Sequence, residues 1–361
     1  MRKRRTFLRG LGAVGAVGVL AGCGGDGGGS DGSDGGGSDA SDGGGSDGSD
    51  GGGTDGDEGG TDTETPEPSV TFGGDEEINF NLSPSVPQED LNVQYAPLRD
   101  HIQNYLTSNY DTPGGLEARM NVGSNYSAVI QALGQGTADI AETGPFAASV
   151  GVTTDNLEII LQRFGYGSWT YKSIIATRTD SDISELADLE GRRVAFSDPL
   201  STSGFLFPAA AMKQAGIDIG NLPEGNGSQA SFEPVFAGGH VQSYTLLAEE
   251  QVDAAGMGGF VRDTKTGPSP EEFGGVATTL HEDDGLPRAP IVVSTQLPDE
   301  SKEALRQAFL DAPEDVYLGA DGEDGTDDDL WFGDVREATV DDYQSVIDTA
   351  ETLGVGPDFF E

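Results

Sequence analysis

The stretch EARMNVGSNYSAVIQALGQGTADIA, residues 117–141, decides the fold. Glu117 to Val122 alternates polar and apolar side chains and reads as a strand. Ser124-Asn125 offers a helix start, and Tyr126 to Leu133 follows as a helix. Ala138 to Ala141 reads as a second strand, followed by the turn Gly144-Pro145. Strand, helix, strand at this spacing is a βαβ unit, whose two strands lie parallel in one sheet. The rhythm extends in both directions. Ile78 to Leu82 reads as a strand, and Leu91 to Leu106 as a helix interrupted early by Pro97. Downstream, Ser173 to Thr177, Arg193 to Phe196 and Val252 to Ala255 read as strands. Helices are expected from about Gly204 to Gln214, with Gly216 where the helix would end, and from His240 to Gln251. Ile291 to Ser294 is a strand returning toward the first set, and Glu300–Leu310 and Val340–Leu353 are amphipathic helices. This order predicts α/β architecture in two lobes, built on largely parallel sheets. Residues 75–172 and 288–361 form lobe 1, and residues 173–287 form lobe 2. The chain is expected to cross near Tyr171 to Thr177 and to recross near Pro287 to Val292. Ligands in such folds bind between lobes, at the carboxyl ends of strands.

The 361 residues carry 19 Lys+Arg against 63 Asp+Glu, a formal net charge of −44. Residues 24–69 hold 13 acidic residues and no basic ones, yet the 292 residues from 70 to 361 are still at net −36. The folded body is therefore acidic in its own right. Such a surface repels nucleic acid and anionic headgroups, which excludes both as default partners. An acidic excess with only five Lys reads as adaptation to high salt, where charges are screened.

Arg4-Arg5-Thr6-Phe7-Leu8 is a twin-arginine export pattern, and Leu11 to Ala21 follows as a weakly apolar stretch. Eleven residues are too few to span a bilayer, which needs roughly 20. Leu20-Ala21-Gly22-Cys23 then resembles a lipobox, with Cys23 as the lipidated first residue after cleavage of segment 1–23. Cys23 is the only cysteine, so the fold must be stable without an intramolecular disulfide. Residues 24–74 are dominated by Gly, Ser and Asp and are expected to be a disordered acidic tether. Random-coil scaling gives roughly 35–40 Å between the ends of its repetitive part. A domain anchored through Cys23 on such a leash would work beside the membrane, on the outer face of the cell.

Three helix starts could face an anion. In Asp198-Pro199-Leu200-Ser201-Thr202-Ser203-Gly204, three consecutive hydroxyl residues join a strand to a helix. Backbone N–H groups there lack internal partners, and with the hydroxyls they make an anion cradle that needs no Lys or Arg. Plain N-capping by one of the three is the alternative. Asn125-Tyr126-Ser127 opens a second helix, and Gly238-Gly239-His240 a third. Alone, Tyr171 would be a core aromatic and His240 a hydrogen-bonded structural residue.

Together these segments resemble the phosphate/phosphonate/phosphite substrate-binding proteins of ABC transporters. The resemblance runs from about Ile78 to Leu310. It rests on Asn125 to Ile130, Ala138-Asp139-Ile140-Ala141 with Gly144-Pro145, and Tyr171 to Ile175. Asp188 to Gly191, Ser201 to Gly204, Gly239-His240 and Val252-Asp253-Ala254 complete it. The family fold is the two-lobed, type II periplasmic binding protein, with a hinge and an inter-lobe ligand cleft. The resemblance implies a phosphoryl-type oxyanion held by Ser201, Thr202 and Ser203, with Tyr126, Tyr171 and His240 closing around it. His240 would supply a positive charge if protonated and a single N–H if not. Aminophosphonate binders of this family grip the ligand ammonium with two carboxylates; the corresponding places here hold Phe260 and Ala289. Phosphate, phosphite or a small alkylphosphonate is thereby favoured over 2-aminoethylphosphonate, with Phe260 available to an alkyl group. Arg288 could reach the anion, with a surface ion pair as the favoured role.

The resemblance implies an ABC permease and ATPase as partners, for a chain expected to be monomeric and to need no cofactor or metal. The acidic cluster Asp321 to Asp329 lacks EF-hand spacing and reads as a solvated loop. His101 and His281 have no ligand-spaced partners. A sensing subunit with the same fold remains an alternative, as does a surface phosphoesterase using Ser201 or Ser203. No evident base or G-x-S-x-G elbow supports the latter. For the export signal, replacing Arg4 and Arg5 by Lys should trap the protein inside the cell, as read by fractionation. Normal secretion would contradict the twin-arginine reading.

Overall fold

The computed structural model describes residues 69–355, apart from 74–76, 86–87, 113, 224 and 226. The export pattern, Cys23 and most of the tether lie outside the described residues. The folded body begins earlier than residue 75. Val70 is buried, Ser301 Oγ accepts from Thr71 N–H at 3.0 Å, and Asp139 Oδ1 accepts from Gly73 N–H at 2.9 Å. A single apolar residue and two backbone donors in range of fixed acceptors suffice to end the tether there.

The first lobe opens with β1 (Glu77–Leu82), α1 (Gln88–Asn109), β2 (Glu117–Val122), α2 (Tyr126–Gly134), β3 (Ile140–Glu142), α3 (Pro145–Thr153) and β4 (Leu157–Gly165). The second holds β5 (Thr170–Arg178), β6 (Arg193–Phe196), α4 (Phe207–Gln214), β7 (Glu233–Phe236), α5 (His240–Ala248) and β8 (Ala254–Gly258). It closes with α6 (Phe260–Asp263), α7 (Pro270–Val276) and β9 (Ala277–Pro287). The chain then returns through β10 (Pro290–Ser294), α8 (Asp299–Leu310), β11 (Phe332–Glu337) and α9 (Gln344–Leu353).

Two sheets result, in the orders β11-β4-β10-β3-β1-β2 and β7-β6-β8-β5-β9. Both are mixed, not largely parallel. β1 is parallel to β2 and β3, while β10 is antiparallel to β3 and β4, and β11 to β4. In the second sheet β6 is parallel to β7 and β8, but β5 is antiparallel to β8 and β9. The cause is the passage between lobes. Strands that leave one sheet for the other need no crossover helix on their own sheet, so the parallel rule of βαβ units does not bind them.

The two passages lie side by side. Residues 166–169 lead from β4 to β5, and residues 288–289 lead from β9 back to β10. Thr170 pairs with Pro287, and Arg288 N–H donates to the Trp169 carbonyl at 3.0 Å. A third link comes from α9, which the sequence places wholly in lobe 1. Val346, Ala350 and Leu353 instead join one core with Phe146 and Ala147 of α3 and with Ala209 and Met212 of α4. Each sheet also has a core of its own. Phe80, Tyr95, Ile102 and Phe309 pack in the first, and Ile174, Leu247, Met257 and Phe273 in the second.

Two Asp residues within the family-like motifs turn out to organise strands. Asp139 Oδ2 accepts from the Asn79 N–H of β1 at 2.7 Å. Asp253 Oδ2 accepts from the Arg193 N–H that opens β6 at 2.8 Å. Each carboxylate thus ties the start of one strand to its parallel neighbour and holds the sheet that carries the site.

Candidate ligand-binding cleft

β6 ends at Phe196, and residues 197–201 carry the chain into a π-helical turn, Thr202–Leu206, that runs into α4. The expected helix therefore begins as a wider turn, closed by Leu206 N–H donating to the Ser201 carbonyl at 2.9 Å. Ser201 does cap it, because its Oγ accepts from Gly204 N–H at 3.1 Å. Gly204 has no substitute here: a Cβ would lie 2.1 Å from Ser197 Oγ. Ser201, Thr202 and Ser203 are all buried. Ser173 Oγ donates to the Ser203 carbonyl at 2.8 Å, which fixes the turn to β5.

The second helix start behaves as its sequence suggests. Asn125 Oδ1 accepts from Ala128 N–H at 2.8 Å, and Tyr126 is buried behind it. At the third, Gly238 takes φ +85, a left-handed value natural to glycine, just before His240. His240 Nδ1 accepts from Gly258 N–H at 3.0 Å and lies 3.0 Å from Ser197 Oγ. With that lone pair used, the ring proton sits on Nε2, which faces Ser201 Oγ at 3.5 Å. Burial pushes the His240 pKa down to about 4, so the ring is neutral near pH 7. His240 therefore offers a single N–H. In this tautomer it cannot serve as a base for Ser201.

One cleft between the two sheets brings together Tyr126, Tyr171, Ser201, Thr202, Ser203 and His240. The Tyr171 hydroxyl sits beside those of Ser203 and Thr202. Thr202 also reaches across. Its Oγ1 accepts from Phe146 N–H at 2.8 Å, one of the donors left open at the start of α3. That bond ties the cradle of lobe 2 to a helix end of lobe 1. Phe260 and Ala289 line the same cleft, so the two places without carboxylates do face the site. The Phe260 ring meets His240 edge-on at 4.9 Å and stacks on Tyr166 at 6.0 Å.

Arg288 is not a surface ion-pair residue. It is 7% exposed and lines the cleft, and no described carboxylate lies within ion-pair distance of it. Its guanidinium lies 5.3 and 5.1 Å from the ring centres of Tyr166 and Tyr171, and its Nε has no hydrogen-bond partner. Its backbone is held from two sides: Trp169 O accepts from its N–H, and Tyr343 Oη donates to its carbonyl at 2.9 Å. The adjacency of the two inter-lobe passages buries this residue, and no local sequence pattern announces that.

Glu142, Thr143 and Arg163 also line the cleft and escaped the sequence reading. Glu142 and Thr143 sit between the Ala138–Ala141 strand and Gly144-Pro145. A charged residue at the carboxyl end of a buried strand was the available signal. Arg163 lies on β4, a strand hidden from periodicity by the buried polar pair Gln162 and Arg163. Glu142 Oε2 accepts from both Arg163 and the Tyr95 hydroxyl, a buried ion pair reinforced by a phenol. Arg163 in turn stacks over Trp331, 4.4 Å from the ring centre.

Among the described residues no group of His, Cys, Asp or Glu could hold a metal ion. The acidic cluster is a turn in which carboxylates cap backbone amides. Asp321 Oδ1 accepts from Glu323 N–H and Asp329 Oδ2 from Gly325 N–H, at 2.8 and 2.7 Å. His101 Nε2 meets the Ala308 carbonyl at 2.8 Å, and His281 pairs with Asp283 at 3.2 Å.

The His240 geometry makes a prediction. Nitrogen-edited NMR should find its imidazole neutral and Nε2-protonated, with no titration until well below the usual value of about 6.5. The folded pKa is the lower one, so His240 supports stability fully above about pH 6.5 and loses that support as pH falls toward about 4. Titration of this ring near pH 6.5 would contradict the assignment.

A family model described as "ABC transporter, phosphonate, periplasmic substrate-binding protein" matches residues 80–343. The phosphate-import protein PhnD of Mycolicibacterium smegmatis is 31% identical over 207 residues, covering 56% of this chain and 60% of that protein. Among solved structures, a binding-protein component of an ABC phosphonate transporter from Pseudomonas aeruginosa superposes with a TM-score of 0.62. It is 22% identical, over 77% of this chain and 86% of that one. PhnD1 of Prochlorococcus marinus, solved in complex with methylphosphonate, gives a TM-score of 0.62 at 16% identity, over 77% and 98% of the two chains. These structures share the type II periplasmic-binding fold, with two mixed sheets and their helices. With the family model spanning both lobes, this chain belongs to the phosphonate periplasmic substrate-binding proteins of ABC transporters.

Proposed function

We propose that this protein captures a phosphorus oxyanion, as phosphate, phosphite or a small alkylphosphonate, and delivers it to an ABC permease and its ATPase. Arg288 carries the reading. A buried guanidinium with no carboxylate partner costs several kcal/mol unless something neutralises it. The other cation of the cleft, Arg163, is already matched by Glu142. The cleft therefore holds one positive charge for a ligand to meet, surrounded by the neutral donors of Ser201, Thr202, Ser203, Tyr126, Tyr171 and His240. Such donors bind an oxyanion strongly because the acceptor is charged.

Phe260 and Ala289 leave no acidic grip for an ammonium group, and the Phe260 ring is placed to pack on an alkyl substituent. The His240 tautomer favours binding over hydrolysis, since Ser201 has a hydrogen-bond donor beside it and not a base. Hinged closure of the lobes, with Thr202 meeting the start of α3, would enclose the anion. Export by the twin-arginine signal and lipidation of Cys23 would place this receptor at the cell surface on its acidic tether.

Calorimetry in phosphate-free, high-salt buffer tests the proposal. Phosphate, phosphite or methylphosphonate should bind with one-to-one stoichiometry, and 2-aminoethylphosphonate more weakly. Absence of heat with every phosphorus oxyanion would sink the assignment. Tightest binding of the aminophosphonate would overturn the argument from Phe260 and Ala289.

A further inference from the structure

One group in the cleft has the wrong sign for a bare oxyanion. Glu142 ends β3 and is 1% exposed. Its Oε2 is used twice, by Arg163 and by the Tyr95 hydroxyl. Its Oε1 is buried and has no hydrogen-bond partner among the described residues. The neighbouring Thr143 Oγ1 and the Arg288 Nε across the cleft are likewise unpartnered. A hydroxyl can turn to donate or accept and a guanidinium donates, but a carboxylate oxygen can only accept.

We infer that Glu142 Oε1 accepts a hydroxyl hydrogen of the ligand, so the cleft selects oxyanions that retain an acidic proton and rejects those without one. This rests on the phosphorus-oxyanion reading and narrows it. A monoprotonated phosphonate or phosphite presents both kinds of oxygen. Its bare oxygens meet Arg288, His240 Nε2 and the hydroxyls, and its P–OH meets Glu142. Sulfate presents acceptors alone and would set a lone pair against Oε1. Leaving a buried acceptor unpaired costs about 1–3 kcal/mol, which is roughly fivefold to 150-fold in affinity. A ligand ammonium would satisfy Oε1 as well, but it would add a third cation to Arg163 and Arg288 with only one carboxylate to share.

The groups that face Glu142 are Arg163 from β4, Tyr95 from α1 and Tyr126 from α2. Of the two strands paired with β3, β10 brings no titratable side chain, and β1 brings only Glu77, at the end away from Glu142 and paired with Arg119. Burial raises the Glu142 pKa, and the Arg163 charge and Tyr95 hydrogen bond oppose that rise. The pH dependence expected here belongs to the ligand. Above its second ionisation methylphosphonate or phosphite has no acidic hydrogen, whereas phosphate still carries one. Phosphate is thus an internal control for every titrating group of the protein.

Calorimetry on the full chain, below and above each ligand's second ionisation, reads this out. Methylphosphonate and phosphite should weaken roughly tenfold or more on ionising, while phosphate changes far less and sulfate fails to compete. Glu142→Gln, which offers an N–H in place of Oε1, should abolish the discrimination and admit sulfate. Should that variant not fold, the wild-type comparison decides alone. Equal affinity for both ionisation states of methylphosphonate, or sulfate binding close to phosphate, overturns the inference while leaving the receptor reading intact. Tighter binding of 2-aminoethylphosphonate than of ethylphosphonate also overturns it, by giving Oε1 to an ammonium. Failure of all phosphorus oxyanions removes both.

Discussion

Arg288 is buried where the two passages between the lobes run side by side, and nothing acidic in the described chain neutralises it. Much of the cleft's arrangement follows from that charge. Trp169 and Tyr343 hold its backbone from opposite sides, and Tyr166 and Tyr171 offer ring faces to its guanidinium. Cation–π contacts of this kind are worth about 0.5–2 kcal/mol, less than burying a guanidinium costs. The residual penalty makes an anion between the lobes favourable. A chain of net charge −44 can hold an anion in this way because the field that matters is local. The acidic surface is screened by salt, whereas the buried cation and the aligned N–H and O–H donors are not.

The remaining polar groups divide by lobe. The second lobe supplies the cradle of Ser201 to Ser203 and the N–H of His240, each aligned by bonds to neighbouring strands and turns. The first supplies Tyr126, Thr143 and the Glu142–Arg163 pair. Thr202 belongs to both walls, since its hydroxyl accepts from the start of α3 while its neighbours face the cleft. One bond of this sort is worth only about 1 kcal/mol.

Local chemistry in this chain could be read from sequence, and long-range chemistry could not. Ser201-Thr202-Ser203-Gly204, Asn125-Tyr126 and Gly238-Gly239-His240 declare themselves because helix starts have their own residue preferences. Of the strands flanking them, β2, β3, β6 and β8 were legible, whereas β7, which leads into Gly238, was not. Nor were β4 and β9. β4 buries Gln162 and Arg163 in its middle, and β9 is an edge strand whose acidic residues look like a loop. Glu142 gains its meaning only from Arg163, twenty-one residues away on another strand. For Arg288 the surface ion pair was favoured over contact with the anion, because an arginine in so acidic a chain looks ready to pair at the surface. Its burial comes from the path of the chain through both lobes, and α9, expected on one lobe, touches both for the same reason.

The central claim is that the ligand supplies the negative charge that Arg288 lacks. It is tested most directly by thermal unfolding of Arg288→Met beside the wild-type protein, with and without phosphate or methylphosphonate. Removing the unpaired cation should leave the ligand-free variant at least as stable as wild type and abolish the stabilisation that the oxyanion gives. A variant that is less stable alone and still stabilised by the ligand would contradict the account.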